Sequence, residues 1–200
     1  MKKISLIVIL FFALASQAYC QFEAGASGGL NLSTLGGADV EDNKTALKLN
    51  IGMWGKYNLA ENFDGHMGLL ISGLGAKFPN EQKLNLTYVQ VPVYGGYKLH
   101  QDENLSFSAL VGGYLGFLAG SKYEIDGTEF DLETNSLDFG LSLGFDVGIQ
   151  ENMFIRTTYN YGLLKPIPDF NNPGIGLGLD GFKAYNRYLQ ISFVYYFYKM

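Results

Sequence analysis

Apolar and small polar residues alternate without exception between Ser136 and Ile149. Side chains point to opposite faces along a strand, so this pattern predicts one long β-strand with two faces of opposite character. A strand of about 14 residues, tilted by about 45°, can cross a hydrocarbon layer of roughly 25–30 Å. Strands in soluble sheets usually stop near 5–6 residues, so the length favours a membrane wall. The apolar positions are Leu137, Phe139, Leu141, Leu143, Phe145, Val147 and Ile149.

Seven other stretches show the same alternation or a less regular form of it, which predicts eight strands in all. Pro92 falls inside one of them, and proline removes a ladder hydrogen bond, so we expect a bulge there or, alternatively, a broken strand. The seven stretches are Phe22–Ser33, Ala46–Leu59, Gly65–Phe78, Asn85–Leu99, Leu105–Leu118, Met153–Leu163 and Tyr185–Tyr198.

The connections between these strands alternate in length. Tight turns are expected at Ala60–Asn62, Asp102–Asn104 and Gln150–Asn152, and each contains Glu-Asn. Longer polar segments follow the other strands. Short turns on one side and longer loops on the other are typical of outer-membrane barrels, with both termini on the periplasmic side. The longer segments are Thr34–Lys44, Pro79–Leu84, Ala119–Asn135 and Lys165–Ala184.

The predicted fold is therefore all-β: an eight-stranded antiparallel up-and-down transmembrane β-barrel. A soluble barrel of the lipocalin type also alternates, but its apolar face points inward and its outer face meets water. The polar faces of this chain are rich in Gly, Ser and Asn, which suit a crowded lumen better than a solvated exterior.

Residues 1–20 have the features of a cleavable signal peptide. Lys2 and Lys3 precede the apolar stretch Ile4–Leu14, and cleavage is expected before Gln21. The barrel domain then covers residues 21–200. Lipidation of Cys20 is the alternative, although Gln17 and Tyr19 do not fit a lipoprotein signal.

The remaining composition excludes several classes of protein. No stretch after the signal approaches 18 continuous apolar residues, so no spanning helix is expected. The formal net charge of −5, without a basic cluster, argues against a nucleic-acid partner. The 26 glycines, 15 phenylalanines and 14 tyrosines suit tightly packed β-structure.

Five short motifs lie on the predicted strands: Gly29–Thr34, Tyr88–Val93, Gly112–Gly116, Asp138–Gly140 and Tyr159–Leu163. They resemble the PorT-like outer-membrane β-barrel family of Gram-negative bacteria, with eight strands as in barrels of the OmpX/OmpA type. The resemblance implies an outer-membrane location and, for one branch of the family, a part in the secretion of surface proteins. The final strand is similar to the signal read by the outer-membrane insertion machinery, through Gln190, Ser192, Tyr195 and Phe197. The motif Tyr88–Val93 includes a proline in this family, so the resemblance implies that Pro92 is expected rather than disruptive.

No motif supports an enzyme or a cofactor site. His66 and His100 lie beside short turns, with no third metal ligand evident. The G-x-G-x-x-G match at Gly176–Gly181 lies in a Pro-rich segment without the strand and helix that dinucleotide binding needs. The acidic segment from Glu124 to Glu133 is interpreted as a solvated loop, with binding of Ca²⁺ or a basic partner as the alternative.

One pair of charges is expected inside the barrel. If Gln150–Asn152 forms a three-residue loop, Asp146 lies across from Arg156, and both point into the lumen. A five-residue loop would instead set Asp146 against Thr158. An arginine enclosed without a partner would cost several kcal/mol, so we expect an ion pair. Further members of this lumen charge network are expected among Asp138, Lys48, Lys56, Lys98 and Glu23.

An eight-stranded barrel is just wide enough for its own side chains, which disfavours an open pore. The sequence therefore predicts a non-enzymatic integral outer-membrane protein, structural or partner-binding. The alternative is a narrow channel for small solutes. The expected contacts are outer-membrane lipid, lipopolysaccharide, the insertion machinery and an unidentified protein partner.

Overall fold

A computed structural model describes residues 22–37, 43–79, 82–102, 105–125, 128–131, 135–165 and 184–200. The predicted signal peptide and the G-x-G-x-x-G match lie outside these ranges. Nine strands are present in the described residues. They are β1 (Phe22–Gly36), β2 (Lys44–Ala60), β3 (Phe63–Lys77), β4 (Lys83–Gln101), β5 (Ser106–Ile125), β6 (Thr128–Asp131), β7 (Leu137–Gln150), β8 (Met153–Gly162) and β9 (Tyr185–Lys199).

Eight of the strands close into a barrel. Each pairs antiparallel with its neighbour in the chain, β5 pairs directly with β7, and β1 pairs with β9 to close the ring. The short strand β6 pairs with β5. The predicted eight-stranded up-and-down barrel is confirmed. Within the described ranges, no helix has the length and hydropathy needed to span a membrane.

Part of the predicted connection Ala119–Asn135 forms a β-hairpin. β5 continues to Ile125, and β6 returns beside it with Glu129 across from Glu124. The last pair between β5 and β7 is Phe117 with Leu137, whereas β5 stays paired with β4 as far as Glu124, so the hairpin continues past the β5–β7 ladder on the loop side. Pairing satisfies backbone groups that an irregular segment would leave to water.

Pro92 causes neither a bulge nor a break. Both expectations based on the lost hydrogen bond were wrong, and the strand is undisrupted as the family resemblance implied. β4 is continuous through Pro92, which pairs with Tyr114 of β5. On the β3 side the pairing is interrupted between Val93 and Gln90, but the register is the same on both sides of the gap. The missing N–H of proline therefore affects only the pairing with β3. The uninterrupted pairing with β5 keeps β4 in place at this position.

The outer surface of the barrel is an apolar band. Leu143 and Leu49 are 63% and 73% exposed, whereas Ser142 and Gln90, on the inner face, are 2% and 1% exposed. This arrangement is that of a membrane barrel, with apolar residues facing lipid. It contradicts the lipocalin-type alternative, in which the apolar residues would fill the interior.

The half of the lumen nearer the long loops holds an apolar cluster, which the alternation of apolar and polar positions along the strands did not reveal. Leu74, Leu84 and Leu86 point inward there and pack with tyrosine rings. Gly75 has φ +139°, which lets Leu74, Gly75 and Ala76 be buried in succession and breaks the strict alternation of β3. We call this cluster the apolar plug; it comprises Leu35, Leu74, Ala76, Leu84, Leu86, Tyr88, Tyr114, Ala184 and Tyr188.

Candidate functional site

The short-turn end of the barrel opens into a cavity of about 980 Å³, which we call the turn-side cavity. Its rim comes from the short turns, through Glu61, Asp102 and Glu151. Its floor and inner wall are ionisable side chains of the strands, namely Glu23, Lys56, Asp64, His66, Lys98 and Asp146. Binding sites of small ligands commonly enclose about 300–1,000 Å³.

A two-pronged ion pair lies at the floor of this cavity. Arg156 Nε donates to Asp146 Oδ1 at 2.8 Å, and Arg156 Nη2 donates to Asp146 Oδ2 at 2.6 Å. The two residues are Cα partners between β7 and β8, as predicted, and the alternative register with Thr158 is contradicted. The turn differs from the predicted three-residue loop: Gln150 pairs with Met153, so only Glu151 and Asn152 form the turn, and a register shift between Gly148 and Gln150 restores the pairing. Arg156 is fully buried, so its charge depends on Asp146 for compensation.

His66 extends this pair toward the opposite wall. Arg156 Nη2 lies 2.9 Å from His66 Nδ1, and His66 Nε2 lies 2.8 Å from Asp64 Oδ1. A guanidinium N–H can only donate, so His66 Nδ1 accepts and His66 Nε2 carries the proton that it donates to Asp64. The histidine is thus a neutral link between Arg156 and Asp64. We call Asp146, Arg156, His66 and Asp64 the lumen relay.

Aromatic rings hold the guanidinium in place. Arg156 Cζ lies 4.2 Å from the ring centroid of Trp54 and 5.7 Å from that of Tyr94. The Tyr196 hydroxyl lies 3.5 Å from Arg156 Nη2. A desolvated cation over aromatic faces is attracted by the ring quadrupoles. These rings and the relay together fill the lumen at the floor of the turn-side cavity.

A second ion pair lies between Glu23 of β1 and Lys56 of β2. Lys56 Nζ is 3.4 Å from Glu23 Oε2, and Asn58 donates to Glu23 Oε1 at 3.2 Å. Lys56 Nζ also lies 5.2 Å from the ring centroid of Phe154. Both charges line the turn-side cavity, next to the relay.

The other expected members of the charge network do not join it. Lys98 donates to Asn58 and to the backbone carbonyl of Glu61, at the cavity rim. Lys48 bonds to Asn85, and Asp138 accepts from Tyr114 and Asn186, farther toward the loops. Of the expected further members, Glu23, Lys56 and Lys98 thus line the turn-side cavity with the relay, whereas Lys48 and Asp138 do not. The charges divide by height along the barrel axis, which alternation along single strands does not reveal.

The sequence pattern gave no sign of the contact that His66 and Asp64 make with the ion pair. His66 lies beside a short turn and lines the turn-side cavity, and it is buried against Arg156. The alternation along β3 was the available signal, because it places Asp64 and His66 on the face of the strand that points into the lumen. His100, by contrast, is exposed and lies 2.7 Å from Asp102.

The four residues of the predicted insertion signal divide between the two faces of β9. Gln190 and Ser192 are buried in the lumen, where Ser192 donates to Asn50 at 2.8 Å. Tyr195 and Phe197 are exposed on the outer face. Their part in membrane insertion stays a prediction. Among the residues that the structure describes, no three side chains of His, Cys, Asp or Glu form a group able to hold a metal ion.

Comparison with known proteins identifies similar barrels. Residues 15–166 match the family described as outer membrane protein beta-barrel domain. The chain is similar to Ail, the attachment invasion locus protein of Yersinia pestis, with 14% identity and a TM-score of 0.47 over 86% of this chain and 98% of that chain. Neisserial surface protein A is similar with 10% identity and a TM-score of 0.44 over 90% and 98%. No curated protein matches the sequence.

Proposed function

Because the chain belongs to the outer membrane protein beta-barrel domain family, we propose that this outer-membrane barrel is a non-enzymatic protein that binds partners at its two ends. The observation that carries the proposal is the blocked lumen. Leu74 and Tyr88 of the apolar plug and Arg156 of the relay are all 0% exposed. A solute crossing the barrel would have to displace both layers of side chains.

The two ends offer different surfaces for partners. With short turns on the periplasmic side, both termini and the turn-side cavity face the periplasm. The β5–β6 hairpin then projects outward, where lipopolysaccharide surrounds the barrel. The apolar band contacts outer-membrane lipid, and the β9 residues Gln190, Ser192, Tyr195 and Phe197 are read by the insertion machinery. The PorT-like resemblance adds a protein partner in secretion as one occupant of the periplasmic side.

Site-directed photocrosslinking in intact cells tests partner binding. A photoreactive amino acid at Asp102 or Glu151, on the cavity rim, should give a discrete protein adduct that mass spectrometry identifies. The same amino acid at Leu143, in the middle of the lipid-facing side of β7, is the matched control and should give lipid adducts. Identical products at rim and control positions would contradict a partner at this end.

Conductance in planar bilayers tests the alternative of a narrow channel. The native barrel should give no steady single-channel steps, because the plug and the relay fill the lumen. A barrel carrying Leu74→Ala and Tyr88→Ala, which shortens the plug, shows how sensitive the recording is to a loosened lumen. Regular conductance steps of the native barrel would support the channel and overturn the proposal.

A further inference from the structure

Asp138 is a fully buried carboxylate whose partners are neutral. It lies in the loop-side half of the lumen, at the edge of the apolar plug. Its Oδ2 accepts from the Tyr114 hydroxyl at 3.1 Å and from Asn186 Nδ2 at 2.8 Å. Among the described residues, neither lysine nor arginine pairs with it. A buried carboxylate without a positive partner is strongly destabilising.

Three oxygen atoms around this carboxylate have no hydrogen-bond partner although they are buried. They are Asp138 Oδ1, Asn186 Oδ1 and the Tyr88 hydroxyl. Native proteins rarely leave such atoms unsatisfied, and each one therefore needs an explanation. The oxygens of Asp138 and Asn186 can only accept, and the Tyr88 hydroxyl has a single proton to donate. Hydrogen bonds among these three atoms therefore cannot satisfy all of them.

The three side chains come from different strands and lie in the same loop-side part of the lumen. Tyr88 belongs to β4, Asp138 to β7 and Asn186 to β9. Gly116 of β5 is the Cα partner of Asp138, and a Cβ on Gly116 would lie 3.4 Å from the Tyr88 ring. The ring thus packs directly over the position next to Asp138. Tyr114, which bonds to Asp138 Oδ2, packs in the same apolar plug as Tyr88, and Asn186 reaches the same carboxylate oxygen from β9.

We propose that Asp138 Oδ1, Asn186 Oδ1 and the Tyr88 hydroxyl form a binding site for one small monovalent cation of the sodium class. All donors are oxygen atoms, which suit hard cations. One carboxylate among neutral oxygens balances a single positive charge. Calcium sites instead take 6–8 oxygens and usually several carboxylates. The bound cation ties β4, β7 and β9 together above the relay. This inference does not depend on which partner the barrel ends bind.

Sodium dependence of barrel stability tests the site. The purified barrel is heated in detergent with sodium chloride or choline chloride at equal ionic strength, and folded and unfolded forms are separated by gel mobility. Binding to the folded form alone should raise the unfolding midpoint by roughly 3–5 °C for each tenfold increase in sodium above its dissociation constant. Asp138→Asn should abolish the sodium shift.

Two further variants keep the test decisive. Glu124→Gln removes a carboxylate at the loop end that pairs with Lys83, so it should retain the full sodium shift. Tyr88→Phe removes one proposed ligand without changing charge, so it should move the sodium response to higher concentration even if Asp138→Asn does not fold. An equal response to choline and sodium, or a sodium shift that survives in Asp138→Asn, would overturn the proposal.

Crystals grown with thallium(I) acetate provide a direct readout. Thallium(I) replaces small monovalent cations and scatters anomalously, so a peak is expected between Asp138, Asn186 and Tyr88. A protonated Asp138 that satisfies the site without a cation predicts no peak and no sodium shift. That pair of results would also overturn the proposal.

Discussion

At the scale of single residues, the packing of the lumen centres on Arg156. Its guanidinium bonds to both carboxylate oxygens of Asp146, reaches His66 and stacks over Trp54. Its Nη1 has no hydrogen-bond partner, so the contacts of Nε and Nη2 and the rings carry the compensation of its charge. Removing the carboxylate of Asp146 would leave the buried charge of Arg156 without its ion-pair partner.

Asp146→Asn should therefore destabilise the folded barrel by about 3–5 kcal/mol, because it leaves Arg156 uncompensated in the lumen. The double variant Asp146→Asn with Arg156→Gln should recover part of this loss, since it removes both charges. Urea unfolding in lipid vesicles, followed by the fluorescence of Trp54, the single tryptophan, measures both effects.

Glu124→Gln is the matched control for this prediction. It also removes one acid of an ion pair, but the side chains of Lys83 and Glu124 are 42% and 22% exposed. Its cost should stay within about 1 kcal/mol. A loss of similar size for Asp146→Asn and Glu124→Gln would show that the relay contributes no special stability.

At the scale of the element, β7 shows how one strand serves two environments. Phe139, Leu143 and Ile149 are exposed on the outer face, whereas Asp138, Ser142 and Asp146 are buried on the inner face. The predicted faces of this strand are confirmed. The strand is also long enough to cross the whole hydrocarbon layer. The loss of folding stability caused by a charged side chain on its outer face should therefore depend on the position along the strand.

Leu143→Lys should destabilise the barrel by about 2–4 kcal/mol, because Leu143 lies at the middle of β7 and a lysine there enters the hydrocarbon core. Ile149→Lys places the same side chain near the turn end of the same outer face, where the cost should fall to about 0–1 kcal/mol. Unfolding in vesicles of defined composition measures both. Equal losses at the two positions would argue against a membrane-spanning β7.

At the scale of the whole molecule, closure between β1 and β9 leaves the eight wall strands without a free edge. The outer band is apolar, and the lumen is filled by the relay and the plug. Unfolding must break a ring of ladders cooperatively, so the barrier should be high and the process slow.

The unheated protein should accordingly migrate differently from the boiled protein on a denaturing gel, because the closed barrel survives detergent at room temperature. Deleting residues 185–200 removes β9 and prevents closure, so that variant should migrate identically with and without heating. Identical mobility of the intact protein under both conditions would contradict a kinetically stable closed barrel.

The sequence by itself determined those features that depend on neighbouring residues. Alternation fixed the strands and their outward faces, and connection lengths fixed the up-and-down order. The hairpin between β7 and β8 also brings Asp146 opposite Arg156, which is one of the two registers that the sequence left open. Each of these depends on periodicity or on one hairpin, and both are local properties of the chain.

Only the tertiary structure decided which inward residues meet across the lumen. His66 and Arg156 are 90 residues apart in the chain. They meet because the strand pairings between them, together with the closure of the barrel, place both residues at the same height along the barrel axis. The same staggering separates Lys48 and Asp138 from the relay and groups Asp138 with Tyr88 and Asn186. It also brings together the leucines of the apolar plug, where Gly75 breaks the alternation. Alternation along a strand shows that a side chain points into the lumen. Its height along the barrel axis depends on the pairing registers of all the strands around the barrel.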